Sequence, residues 1–463
     1  MAIVTPGVEP ASALLAAPPS PWLEEWAGFA ARLRFADLPA EVAARARLAL
    51  LDCIGAIAAG AQEAEVQALA ARMIEREGGG DSPVIGLPHA ARPGTAAFLN
   101  GTSGTMLELD EGNQYARGHP AIHVVPALLA APRGDGAALL VALALGYELG
   151  SRVGIASKLN VAMHPHGTWG TLGAAMGVAK LHGATAGEMR AVINIASTLG
   201  LATSRRTMLE GGTVRNTYCG VSNMLGLTAW DLARAGFEGE RDGVATIFGH
   251  VSAADFRPEE MTRDLGARWE VARNYFKRHA ACRYTHGALD ALGLVMAKAG
   301  GLRPEEVKAI EVDTYVWAAQ LDSPAAPNML AAKFSIPFAL ATTIAHGAAT
   351  VPAFRGPARE DPAVQALAAR VTVNEDAAMT AQLPGLRPAR LRVTLADGTV
   401  HSAEVTTNRG DTEDPYTEAE VRAKFRELAD PVYGADRARA IEEAALALGP
   451  HREASALVEL LAR

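Results

Sequence analysis

Gly170, Gly173, Ala174 and Gly177 fall three and four residues apart in the segment GTWGTLGAAMGVAKLHG. In a helix that spacing puts them on one face, where small side chains let a second helix backbone approach closely. The rest of the chain obeys the same constraint. Aromatic residues make up only 5% of it, and Ala, Leu and Gly fill most of the apolar half. That balance favours closely packed helices over a sandwich or barrel. A chain of 463 residues predicts two structural units and a core large enough to need no staples.

Apolar stripes predict helices over 38–60, 63–76, 92–101, 137–157, 188–200 and 222–235. The period changes after about Ala272. Ile310, Val312 and Thr314 alternate within 307–315, and Leu391, Val393 and Leu395 alternate ahead of Asp397–Gly398, a hairpin signal. Between these strands, 328–346 and 362–369 read as helices. Thr417 with Glu420 forms a capping box that restarts the helical pattern. The expected fold is mainly α: an all-helical domain of 1–272 completed by 412–463, with a smaller α/β domain of 273–411 inserted.

Some function classes drop out. A formal charge of -8 argues against a nucleic-acid partner, which would demand a basic face, yet leaves room for a local basic pocket. Cys53, Cys219 and Cys282 are odd in number and widely spaced. They predict no disulfide framework and no zinc knuckle, and a reducing, cytoplasmic compartment. Met1 to Pro21 lacks a basic n-region and is broken by Pro6, Pro10 and Pro18–Pro19, so a loose arm is expected rather than a signal peptide. The longest apolar run, Ala137 to Tyr147, is short of the roughly 20 residues that cross a bilayer. Glu148 and Arg152 follow it, which reads as a buried core helix with no membrane partner.

Four segments carry chemistry. MLELDEGNQYARGHPAIH gathers Glu108, Asp110 and Glu111 ahead of His119, with Gly112–Asn113 marking a loop that leaves a helix. Catalytic groups tend to lie on such loops; the alternatives are a solvated helix end or a magnesium site. MHPHGTWGTLG sets His164 and His166 before a glycine-rich helix start, where backbone N–H groups favour an anion. A surface loop is the competing reading. GGTVRNTYCG offers Arg215, equally compatible with a surface position. YFKRHAACRYTHGALDA packs Lys277, Arg278, His279, Arg283 and His286 beside Cys282 and Tyr284. So dense a cationic cluster near a predicted domain boundary suits an anionic substrate in a cleft. An exposed basic loop is opposed by Tyr284 and Cys282, which prefer partial burial.

These segments, together with LPAEVAARARLALLDCIGAIAAG, AAKFSIPFALA and RVTLADGTVHSAEV, occur in the order seen in MmgE/PrpD proteins, and the chain resembles that family from about 25 to 430. The family includes 2-methylcitrate dehydratase, cis-aconitate decarboxylase and iminodisuccinate epimerase. The resemblance implies a helical domain with an α/β lid, a homodimer, and catalysis on a small polycarboxylate without metal or organic cofactor. It implies catalytic roles for His164, His119, Lys277, Glu108 and Asp110. Substrate binding would fall to Arg215, Cys282, Arg283, Tyr284, His286 and Asn113. Met106 and Cys282 stand where family members have His, Arg215 replaces a Lys, and Gly112–Asn113 stands where the decarboxylase pattern has a Thr. Those departures move the expectation from decarboxylation toward elimination of water, with His164 moving the C–H proton and His119 assisting the hydroxyl. An epimerase, a decarboxylase, a metal-dependent helical enzyme and a non-catalytic metabolite-binding protein are the alternatives.

Overall fold

The computed structural model describes residues 20–462. The arm expected over Met1 to Pro21 therefore lies, as far as Pro19, outside the described residues. The helix at the centre runs Gly136–Ala156, capped by Asp135, whose side chain accepts from Ala138 N. It is longer than the apolar run that predicts it. Length and composition would let it cross a membrane, but 89% of its most apolar window is buried inside the protein. Its charged pair is buried too. Arg152 Nε donates to Glu148 Oε1 at 2.6 Å, and its Nη atoms donate to the carbonyls of Glu260, Met261, Arg263 and Arg268.

The small-residue face brings two backbones together. A Cβ on Gly173 would lie 2.8 Å from Gly146 O, and one on Gly146 would lie 2.5 Å from Gly173 O. Only hydrogen fits there, so the Gly136–Ala156 and Gly170–Leu181 helices touch along their axes. On the other side Gly226 meets Ala174 and seats the Tyr218–Arg234 helix. Gly170 plays a different part. A Cβ there would fall 2.1 Å from His123 Nδ1, so only a glycine lets that imidazole lie against the first turn.

Pro39 is the N-cap of the Ala40–Gly60 helix rather than part of its first turn. That helix packs against Glu418–Tyr433, where Lys424 Nζ lies 2.5 Å from Asp52 Oδ1 and also donates to Leu109 O. The predicted capping box of Thr417 and Glu420 begins the later helix.

Two short antiparallel pairs come first, the hairpin of β1 (Ser82–Val84) with β2 (His89–Ala91), and β3 (Ser157–Leu159) with the sequence-distant β4 (Ala253–Phe256). The larger sheet uses β5 (Val307–Thr314), β6 (Val371–Glu375), β7 (Ala389–Leu395) and β8 (Val400–Val405) in the order β6-β5-β7-β8. β5 pairs parallel with β6, and the other ladders are antiparallel. Val307, Ile310, Val312 and Thr314 of β5 point inward with Leu391 and Val393 of β7. The stretch predicted as one helix over 328–346 is two, Met329–Lys333 and Ile336–His346. Ser335 caps the second by accepting from Phe338 N, and Pro337 sits in its first turn. One apolar core fills the helical part, and a second surrounds the sheet and includes Met106, Leu107 and Leu109. The acidic segment thus sits where the two cores meet.

Candidate active site

At that seam lies a cavity of about 270 Å³, sized for a small molecule. The Pro93–Thr105 helix ends just before Glu108, whose φ of 53° is left-handed. Such a conformation costs a non-glycine residue about 1–3 kcal/mol and is held only where the surroundings enforce it. Here the enforcing contacts are ionic. Glu108 Oε1 takes the Arg215 guanidinium, and its Oε2 lies 3.7 Å from Lys277 Nζ. Lys277 Nζ is also 3.7 Å from Asp110 Oδ1, and Asp110 Oδ2 is 2.8 Å from His119 Nδ1. Arg215, Glu108, Lys277 and Asp110 therefore form one buried row of alternating charge, with the His119 imidazole at its end.

The row fixes protonation. Burial works to raise the Asp110 carboxyl, but His119 and Lys277 beside it overcome that and hold it well below the usual carboxylate range. A carboxylate at Nδ1 keeps that nitrogen protonated and leaves His119 Nε2 as an acceptor. His164 is set the other way. Its Nδ1 accepts the His166 backbone N–H at 3.1 Å, so the neutral ring carries its proton on Nε2. Burial first, and then Arg215 and Arg205, hold His164 well below the ordinary imidazole value, which keeps it neutral.

Of the residues expected from sequence, Glu108, His119, His164, Arg215, Cys282, Arg283 and Tyr284 line the cavity. Asp110 and Lys277 stand directly behind them. Two expectations are corrected. Asn113 turns into the protein, its Oδ1 accepting from Tyr115 N and Ala116 N and its Nδ2 donating to Glu270 O. His286 is buried against Arg283 Nη1 and Ala281 O. Neither lines the cavity. The cationic cluster also divides, with Arg278 turning to Glu427 and His279 to Asp290. Cys282 reaches the cavity as a thiol, burial pushing it up to about 11.

The acidic cluster divides as well. Glu111 leaves the cavity, accepting from Tyr147 Oη, Asn274 Nδ2 and Ala121 N, and burial pushes it up to about 8. Glu108 and Asp110 share the Lys277 ammonium while Glu111 turns to other partners, so the three carboxylates do not converge as a magnesium cage would require. Among the described residues the group able to share a soft ion is His123, His166 and Cys219, with ligand atoms within 4.8 Å of one another. Cys219 Sγ sits 3.1 Å from His166 Nδ1 and 3.3 Å from His123 Nε2.

Sequence reasoning missed Arg117, Lys158, Arg205, Tyr275 and Arg387, all of which line the cavity. Tyr275 opens the YFKRH segment, and its backbone exchanges two hydrogen bonds with Gly112 (Gly112 N to Tyr275 O 3.0 Å, Tyr275 N to Gly112 O 2.7 Å). Six cationic side chains line the cavity against one carboxylate, Glu108. A space so charged is built for an anion with more than one charge.

Residues 24–258 match the MmgE/PrpD N-terminal domain and residues 279–449 the MmgE/PrpD C-terminal domain. The chain is 27% identical to the cis-aconitate decarboxylase-like protein oryM of Aspergillus oryzae, over 94% of this chain and 96% of that protein. It is 26% identical to cis-aconitate decarboxylase of Aspergillus terreus, over 94% of each chain. Against cis-aconitate decarboxylase of Mus musculus it is 25% identical, over 82% of this chain and 81% of the other.

Proposed function

We propose, from the premise that this chain belongs to the MmgE/PrpD family, that it is a lyase acting on a small polycarboxylate at the carbon next to a carboxylate. The observation that carries this reading is His119, held by Asp110 in the wall of a cavity with six cations and one carboxylate. Making negative charge on such a carbon is the difficulty shared by dehydration and decarboxylation. Cations at the carboxylate and a placed base ease it.

We assign the two histidines the other way round from the division expected from sequence, because Asp110 engages Nδ1 of His119 and the His166 backbone N–H engages Nδ1 of His164. His119 Nε2 is the base, and the neutral His164 donates from Nε2 to the carboxylate oxygen where charge develops, as a neutral imidazole does in other sites of this kind. In water elimination the C–H proton passes to His119, the electron pair forms the double bond, and the C–O bond breaks. His119 then gives the same proton to the departing hydroxide, so one imidazole serves both steps. Lys277 acts from behind, through its contacts with Glu108 and Asp110, and not as a ligand of the substrate.

Decarboxylation is the second reading, favoured by the relatives named cis-aconitate decarboxylase. There a C–C bond breaks, carbon dioxide leaves, and a protonated His119 delivers its proton to the carbon. Cys282 in a histidine's place supports water loss over this route. A panel of hydroxylated and unsaturated tricarboxylates, followed by NMR and carbon dioxide release, separates the two. Loss of water with no gas is the expected result; gas release would make decarboxylation the activity, and inertness toward every di- and tricarboxylate would remove both.

A further inference from the structure

Arg387 stands in the turn before β7, is buried, and lines the cavity. Its Nη2 donates to Gln114 O at 3.0 Å, while Nε and Nη1 are buried with no hydrogen-bond partner. Among the described residues no carboxylate comes within ion-pair distance of it; its guanidinium lies 5.4 Å from the centre of the Tyr284 ring and 5.9 Å from that of Tyr275. Nε of Arg215 and of Arg283 is buried without a partner too, but the charge of each neighbouring cation is answered. Arg215 has Glu108, Arg283 has Asp411, and Arg117 donates to the carbonyls of Gly154 and Ser157. A guanidinium cannot shed its charge to escape burial, and an unpaired charge is among the least favourable things a protein interior can hold.

We infer that Arg387 forms a carboxylate subsite, its counter-anion being a carboxylate of the substrate remote from the reacting carbon. This rests on the polycarboxylate reading above and narrows it. Tyr275 is the spacer. Its ring centre is 6.3 Å from that of His119 and 5.9 Å from the Arg387 guanidinium, so the base and the unpaired cation flank one phenol. A substrate reaching both needs a proton-bearing carbon at one end and a free carboxylate at the other. An acid whose distal carboxylate is esterified leaves Arg387 unpaired and is discriminated against.

Tricarballylate, a tricarboxylate with no hydroxyl to lose, serves as the probe, alongside its terminal monomethyl ester. Calorimetry and thermal shift are compared for wild type, Arg387→Met and Arg387→Lys. Wild type should bind the acid more tightly than the ester. Arg387→Met should weaken the acid by about 10-fold or more, erase the preference over the ester, and melt without ligand no lower than wild type. Arg387→Lys, which keeps the charge without the fork, reads the same comparison with a smaller loss. Wild-type binding that Arg387→Met leaves unchanged, or weakens equally for acid and ester, overturns the subsite alone. A wild type that neither binds nor turns over any polycarboxylate overturns the functional reading, and the subsite with it.

Discussion

Arg152 and Arg387 are both buried, yet the protein treats them in opposite ways. Arg152, in the central helix, meets a carboxylate and four backbone carbonyls. Arg387, in the cavity wall, has one carbonyl and two aromatic faces. The first is a finished interaction whose job ends with folding. The second leaves charge unanswered where a small molecule fits. Burial alone does not separate structural from functional arginines; the count of satisfied donors does.

The contrast can be broken first at its structural end. Arg152→Ala removes the donor shared by Glu148 and four buried backbone carbonyls, so unfolding in denaturant should show a loss of about 3–5 kcal/mol. A loss below about 1 kcal/mol would mean that its bonds hold nothing in place. Next comes the cavity. His119→Ala should lower kcat by at least about 10²-fold while the denaturation midpoint stays put; near-normal turnover would take the imidazole out of the chemistry. A smaller effect tests the row behind it. Asp110→Asn removes the charge that orients His119, and a loss of about 10- to 100-fold in kcat with little change in KM is expected. An effect on KM alone would place Asp110 in binding.

The gentlest probe is pH. Burial first, with neighbouring cations, depresses His123 to about 3 and holds His164, His166 and His286 well below the ordinary imidazole value. In the unfolded chain these rings take up protons near pH 6.5. Their contribution to stability is thus complete above about 6.5 and is lost as pH falls below it. Glu111 and Glu148, pushed up to about 8 and about 7 by burial, act in the opposite sense. The four rings outnumber them, so melting temperature should drop as pH falls below about 6.5, and a flat profile down to pH 5 would contradict the burial of these rings.

Much of the architecture was legible because its signals are local. Small residues three and four apart, the Asp397–Gly398 turn and the Thr417 capping box each say where the backbone goes without reference to distant residues. The acidic and histidine segments were legible as chemistry for the same reason. Asn113 misled because an amide beside acids looks like a ligand, whereas here it closes its own turn. Arg387 was illegible because its meaning lies 273 residues away, at Gln114 O, and no pattern within its proline-rich stretch points there. The roles of His119 and His164 depend on which ring nitrogen is already engaged, a fact of geometry rather than of spacing.

The paired backbones of Gly112 and Tyr275 have a consequence for the shape of the cavity. A methyl group on Gly112 would lie 2.4 Å from the Tyr275 hydroxyl and 2.9 Å from Gly118 O. The phenol must then swing aside, altering its spacing from the His119 ring and the Arg387 guanidinium. A single carbon added behind the wall would reshape the cavity while every residue lining it kept its identity.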